Sequence, residues 1–125
     1  MTKGNIGMPF PPISVYIITK NEEQNLKRLL PLLKNFEEVV IVDCGSTDQT
    51  EAVANQFTNT RFIHQDWQGF AKQKEFAKNQ CKNEWVLNLD ADETFDDIML
   101  KDIQNVILEN RHAGMTCYHV EILMG

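Results

Sequence analysis

The sequence predicts an α/β fold: a mainly parallel sheet with helices on both faces, forming one domain over residues 1–125. Three observations predict it. Short β-branched apolar runs alternate along the chain with segments whose apolar residues recur at helical spacing. The runs show little polar alternation, as expected of strands buried on both faces. Polar residues gather just beyond the ends of the runs, at one edge of an otherwise apolar sheet.

The elements follow in order. Ile13 to Ile18 (ISVYII) reads as a central strand. From Glu22 a helix is expected with Leu26, Leu29, Leu30 and Leu33 on one face, kinked or restarted by Pro31. Val39 to Val42 (VVIV) is a second strand, broken by the turn and capping residues Asp43 to Asp48. A helix capped by Ser46, Thr47 or Asp48 follows, with Ala52, Val53 and Phe57 as its apolar face. Arg61 to His64 supplies a third strand, Gln65 to Gly69 a polar loop around Trp67, and Phe70 to Cys81 a helix packing through Phe70, Ala71, Ala77 and Cys81. Lys72, Lys74 and Lys78 give that helix a positive side. Trp85 to Leu89 is a fourth strand ending in Asp90-Ala91-Asp92-Glu93, a helix spans Asp97 to Asn110, and Met115 to Leu123 is a last strand. Such alternation implies right-handed crossovers in a Rossmann-like sheet, with the ligand beyond the carboxyl ends of the strands.

Composition excludes several classes. With 42% hydrophobic and 24% charged residues the chain can bury one core. A net charge of -6 with no basic patch argues against nucleic acid as a partner. No apolar run approaches the ~20 residues of a membrane-spanning helix, and the opening MTKGNIGMPFPP lacks the apolar centre of a signal peptide, so a cytoplasmic location is expected. Cys44, Cys81 and Cys117 are an odd number without C-x-x-C spacing, which suggests reduced thiols. His64, His112 and His119 are unclustered and receive no role.

Three loops carry the residues fit for chemistry: Thr19 to Glu22, Asp43 to Asp48, and Asp90 to Asp92. Asp90 and Asp92, first and third after a buried strand, can point the same way and offer hard oxygen ligands to a divalent cation; equally, such acids cap helices. Asp43 could accept the imide hydrogen of a uracil or a ribose hydroxyl, with Gly45 allowing close backbone approach and Ser46 in the same turn, or it could form an Asx-turn. Asn21 and Glu22 are either helix-start residues or contacts to a base. Lys74 either reaches a diphosphate or is solvated.

Together the motifs are more specific than any one of them. ISVYIITKNEE, VVIVDCGSTDQT and WVLNLDADE occur in that order, with WQGFAKQKEFAKNQ before the last. In these the chain resembles the family 2 glycosyltransferases of the GT-A fold, and in particular bacterial lipopolysaccharide core glucosyltransferases, over Ile13 to Glu93. The resemblance implies a metal-dependent, inverting transfer from a UDP-sugar donor to a glycan or lipid-linked acceptor, in lipopolysaccharide or other cell-surface glycan synthesis. It places Asp43 and Glu22 near the uridine, Asp90 near the ribose or metal, Asp92 as principal ligand of Mn2+ or Mg2+, and Lys74 at a basic position of the motif. It also implies work at the inner face of the bacterial inner membrane, through segments beyond this chain. Cys44 stands where the family often has Asp or Ser, and Glu75 where Asn commonly follows the basic residue.

An inverting enzyme needs a general base at the acceptor hydroxyl, which the family carries well beyond the Asp-x-Asp. About thirty residues follow here, and Glu121 is merely the nearest carboxylate in a strand. The chain therefore reads as the N-terminal nucleotide-sugar-binding part of a longer enzyme, with the base outside it. An unfinished sheet would leave an open edge and favour self-association. Two alternatives remain: a nucleotide-binding or structural module without turnover, and a haloacid dehalogenase-type phosphatase, whose Asp-x-Asp-x-Thr strand Asp90 to Thr94 also resembles.

Overall fold

The computed structural model describes the backbone of residues 12–112 and 120–123, and the side chains of residues 12–109. Five strands, β1 (Ile13–Thr19), β2 (Glu38–Asp43), β3 (Thr60–His64), β4 (Trp85–Asn88) and β5 (Val120–Leu123), form one sheet in the order β3-β2-β1-β4-β5. All pairings are parallel. The α-helices are α1 (Glu23–Leu29), α2 (Thr50–Ala54), α3 (Phe70–Gln80) and α4 (Asp97–His112).

The twofold alternation of the strands separates two cores. Ile13, Val15, Ile17, Val39, Ile41 and Leu87 face one layer, where they meet α1, α2 and α4. Tyr16, Val40, Val42 and Val86 face the other, where Ala77 and Cys81 at the end of α3 cover them. Helices thus lie on both faces, as the sequence predicts.

The α1 segment bears out its apolar spacing, since Leu26, Leu29, Leu30 and Leu33 are all buried. Pro31 does not end the packing. It sits early in a 3-10 turn, Leu30–Leu33, where its missing N–H is no loss. Helix α2 starts later than predicted, at Thr50, so Thr50, Val53 and Ala54 turn inward and Ala52 is exposed. None of the three predicted caps is the residue next to the helix; that is Gln49, with Asp48 one step earlier accepting the Thr50 N–H at 3.0 Å. In α3 the predicted packing holds for Ala77 and Cys81 but not for Ala71 or Phe70, the latter 69% exposed. Residues 115–119 of the predicted last strand lie outside the described residues.

The crossovers follow from the same geometry. From β1 the chain steps outward to β2 and β3 beneath α1 and α2, then recrosses to β4 through α3 on the opposite face. Reversing both direction and face keeps one hand, the usual arrangement. Helix α4 departs from it. Ile103 and Ile107 return to the α1 layer while the chain steps to β5, away from β2, so this connection has the opposite hand. Phe95, edge-on to Phe36 with ring centroids 5.1 Å apart, fixes the entry to α4 on that face.

Candidate functional site

Parity along the strands determines which loop residues face which layer. Thr19, Asp43 and Ala91 continue the series facing α1, whereas Ile18, Cys44 and Asp90 continue the series facing α3. A cavity of about 720 Å³ opens at the carboxyl ends of the strands. Its floor includes Ile18, Thr19 and Cys44, and Asp90, Ala91 and Asp92 form part of its wall. Lys20, Glu22 and Asn25 approach from the β1–α1 side, and Trp67, Phe70 and Lys74 from the α3 side. Five of the sequence-predicted residues, Thr19, Glu22, Lys74, Asp90 and Asp92, therefore meet at one cavity.

Asp43, Gly45 and Ser46 instead line a smaller cavity of about 470 Å³ next to it, and Asn21 lines neither. The reason is visible in their hydrogen bonds. Asp43 is only 2% exposed. It accepts from Thr19 Oγ1 at 2.7 Å, Gly45 N at 2.9 Å, Ser46 N at 2.7 Å and the Ser46 hydroxyl. Burial pushes its carboxyl up, but the bonds from Ser46, Thr19 and Gly45 outweigh burial and hold it below the ordinary range. Asn21 adopts φ 55°, which Asn tolerates better than most residues, and its Oδ1 accepts from Thr47 N at 2.8 Å and Asp48 N at 3.3 Å. Asp48 in turn accepts from the Thr50 hydroxyl and backbone N–H and, through its other oxygen, from Glu23 N at 3.2 Å, and its carboxyl is lowered, first by the Thr50 hydroxyl. These side chains stitch the β1 and β2 loops together.

The Asp90–Asp92 turn is built differently. Leu89 and Ala91 point into the core, leaving Asp90 and Asp92 exposed on the cavity side. Arg28 Nη2 donates to Ala91 O at 3.2 Å, and the Asp90 N–H donates to Glu93 Oε1 at 2.7 Å, so the turn is fixed by groups other than the two carboxylates. Among the described residues neither carboxylate accepts a protein hydrogen bond. No group of three or more His, Cys, Asp or Glu side chains that could hold a metal occurs among the described residues. A pair of free carboxylates is suited to a hard cation that completes its shell with water and phosphate oxygens, as Mg2+ commonly does.

The sequence reading missed Cys44, Trp67 and Phe70 as cavity residues. The signal for Trp67 was available, a large ring in the polar stretch Gln65 to Gly69, whereas Phe70 has Ala77 at helical spacing and reads from sequence as a packing residue. Among the described residues, no helix is long and apolar enough to cross a membrane.

Comparison with known proteins agrees with this arrangement. Residues 14–122 match the family model of Glycosyl transferase family 2. The chain is 42% identical over 93 residues to the lipopolysaccharide core biosynthesis glycosyltransferase LpsC of Rhizobium meliloti, covering 71% of this chain and 34% of LpsC. It is 36% identical over 113 residues to an uncharacterized glycosyltransferase of Rickettsia felis, covering 90% of this chain and 40% of that protein. The chain thus spans well under half the length of these relatives. Among solved structures it resembles S. aureus TarS 1-349, with a TM-score of 0.68 and 31% identity over 81% of this chain and 33% of that one. It also shares its fold with the M. tuberculosis glucosyl-3-phosphoglycerate synthase crystallised with Mn2+, UDP and glucosyl-3-phosphoglycerate, at a TM-score of 0.52 and 22% identity over 64% of this chain and 33% of that one. With that match across most of its length, and with an α/β sheet like that of its GT-A neighbours, the chain belongs to glycosyl transferase family 2.

Proposed function

We propose that this chain is the donor-binding part of a metal-dependent, inverting glycosyltransferase that uses a UDP-sugar in lipopolysaccharide or other cell-surface glycan synthesis. One observation carries the proposal: two carboxylates without protein partners, Asp90 and Asp92, share a cavity with Lys20 and Lys74. That charge pattern suits a diphosphate bridged to the protein by a divalent cation. Asp92 is the principal ligand and Asp90 the second, or a contact to the ribose. Bound there, Mn2+ or Mg2+ would neutralise the charge that builds on the diphosphate as its bond to the sugar breaks. Lys74 faces the diphosphate from α3, and Glu22 and Thr19 meet the nucleoside from the β1 loop. Asp43, Ser46, Gly45 and Asn21 act through the shape of that loop.

The LpsC relative supports the glycan assignment, and the synthase of like fold that holds UDP and Mn2+ supports the donor and metal. The general base and the acceptor, a glycan or a lipid-linked one, belong to segments outside this donor half. Glu22, Asp90 and Asp92, the carboxylates lining the cavity among the described residues, already serve the donor.

The test is calorimetric titration of the chain with UDP, with and without Mn2+, beside Asp92→Asn. Binding that requires Mn2+ and weakens at least tenfold in the variant is expected. UDP binding that ignores both metal and substitution, or no binding at all, would overturn the reading.

A further inference from the structure

We infer that Trp67 and Phe70 form an aromatic platform on which the donor's nucleobase stacks. The inference rests on the nucleotide-sugar reading above and adds a recognition element that the acidic and loop motifs do not supply.

The pair is unusual in its setting. Trp67 is 49% exposed and Phe70 69% exposed, yet the rings pack edge-to-face with centroids 4.9 Å apart and planes at 87°. One such contact uses an edge of one ring and a face of the other, so the remaining ring faces stay uncovered by it. Exposed aromatics of this size cost solvation unless something covers them. Both line the 720 Å³ cavity.

The loop that carries Trp67 is fixed in place. Gln73 of α3, fully buried, donates from Nε2 to Gln65 O at 2.7 Å and accepts the Gln68 N–H at Oε1 at 3.2 Å. Gln65 N also donates to Asp43 O at 2.8 Å, and Gly69, at φ 95°, makes the turn into α3. Trp67 is therefore held between two anchored residues, so a ligand that meets its ring pays little to order the loop.

Position in the sheet selects the part of the donor. The acids follow β4, whereas Trp67 follows β3, and β1 and β2 lie between them. Three strand spacings, roughly 14 Å, separate the two ends of the site. With the diphosphate at the acids, one arm of the donor reaches toward the aromatics. A sugar ring needs convergent hydrogen-bonding groups to recognise its hydroxyls, whereas a planar base needs a ring face. The ring faces are at the β3 end, so the base lies there and the sugar on the far side of the acids.

The experiment titrates the chain with UDP, with UDP-glucose and with inorganic pyrophosphate, each with Mn2+, while following tryptophan fluorescence. The chain has two tryptophans, Trp67 and Trp85, and Trp85 is the first residue of β4, at the amino end of the strands and away from the cavity. UDP is expected to quench the emission of the wild type but not of Trp67→Phe. Trp67→Ala and Phe70→Ala should each weaken UDP and UDP-glucose roughly tenfold, the scale of losing a base stack, and leave pyrophosphate unchanged. Circular dichroism verifies that these surface variants remain folded. UDP affinity unchanged in both alanine variants would overturn the inference while leaving the donor site intact. So would an equal loss for pyrophosphate, or a loss confined to UDP-glucose, which would mark the rings as a sugar platform. A wild type that binds no UDP defeats the donor reading itself, and the inference falls with it.

Discussion

Asp43 offers a sharp test of how the site is built, because its two obvious substitutions should differ in a way that only the loop geometry explains. Its carboxylate accepts four hydrogen bonds, two from backbone N–H groups and two from hydroxyls. Bonds to a charged acceptor contribute roughly 1.5–3 kcal/mol each when taken singly. They do not add fully here, since Gly45 and Ser46 are half-exposed and water replaces part of what their N–H groups lose. Asp43→Ala should therefore cost about 3 kcal/mol of stability. Asp43→Asn keeps the shape. Its oxygen can take the two N–H groups while its amide donates to the Thr19 and Ser46 hydroxyls, which rotate to accept. Only the charge assistance is lost, about 1 kcal/mol. Urea denaturation followed by circular dichroism measures both.

Acid provides a second reading of the same group. The folded carboxyl lies below its ordinary value of 3.8. A depressed folded pKa stabilises fully above the unfolded value and loses that stabilisation as pH falls through the lower folded one. Wild type should thus lose stability on acidification below about pH 4, and Asp43→Asn should lose less. Equal destabilisation by Asn and Ala, or identical acid profiles for wild type and Asn, would refute the view that Asp43 organises the loop.

Two further outcomes follow from the same kind of accounting. Glu38, 3% exposed, accepts from Ser14 Oγ at 2.7 Å and Lys82 N at 2.9 Å and pairs with Arg61 at 3.3 Å. Glu38→Ala should cost about 3 kcal/mol by stranding the buried Ser14 hydroxyl and the partly buried Lys82 N–H, whereas Arg61→Ala, whose guanidinium is half-exposed, should cost under about 1 kcal/mol; chemical denaturation tests the asymmetry. Asn21→Ala should destabilise by about 1–2 kcal/mol, since it loses the acceptor for Thr47 and Asp48 and holds alanine at positive φ, and Asn21→Gly should recover part of that in the same assay.

The sheet was legible because its signals are local. VVIV and ISVYII are apolar on both sides, and the leucines of α1 fall at the spacing that faces them inward. The start of α2 was not, because Asp43, Ser46, Thr47 and Asp48 are all good capping residues, and the choice among them depends on partners some 25 residues away in the β1 loop. The hand of the β4–α4–β5 connection was not legible either. It depends on Phe95 meeting Phe36, a contact between side chains 59 positions apart.

The candidate site divides along the same line. Asp90 and Asp92 were readable as a pair because the alternation of the strand persists past its end, with Leu89 and Ala91 taking the inward positions. That parity also turns Asp43 toward α1 and Cys44 toward the cavity, a distinction hidden when the turn is read as one polar segment. A carboxylate whose oxygens already accept four protein donors can take on a ligand only by releasing some of them, and the loop would loosen as it did so. A carboxylate with no protein acceptor role has no such cost. On the function proposed above, the ligand-facing work would fall to Asp90, Asp92 and the two lysines, and Asp43 would contribute by holding Thr19 and the β2 loop in place.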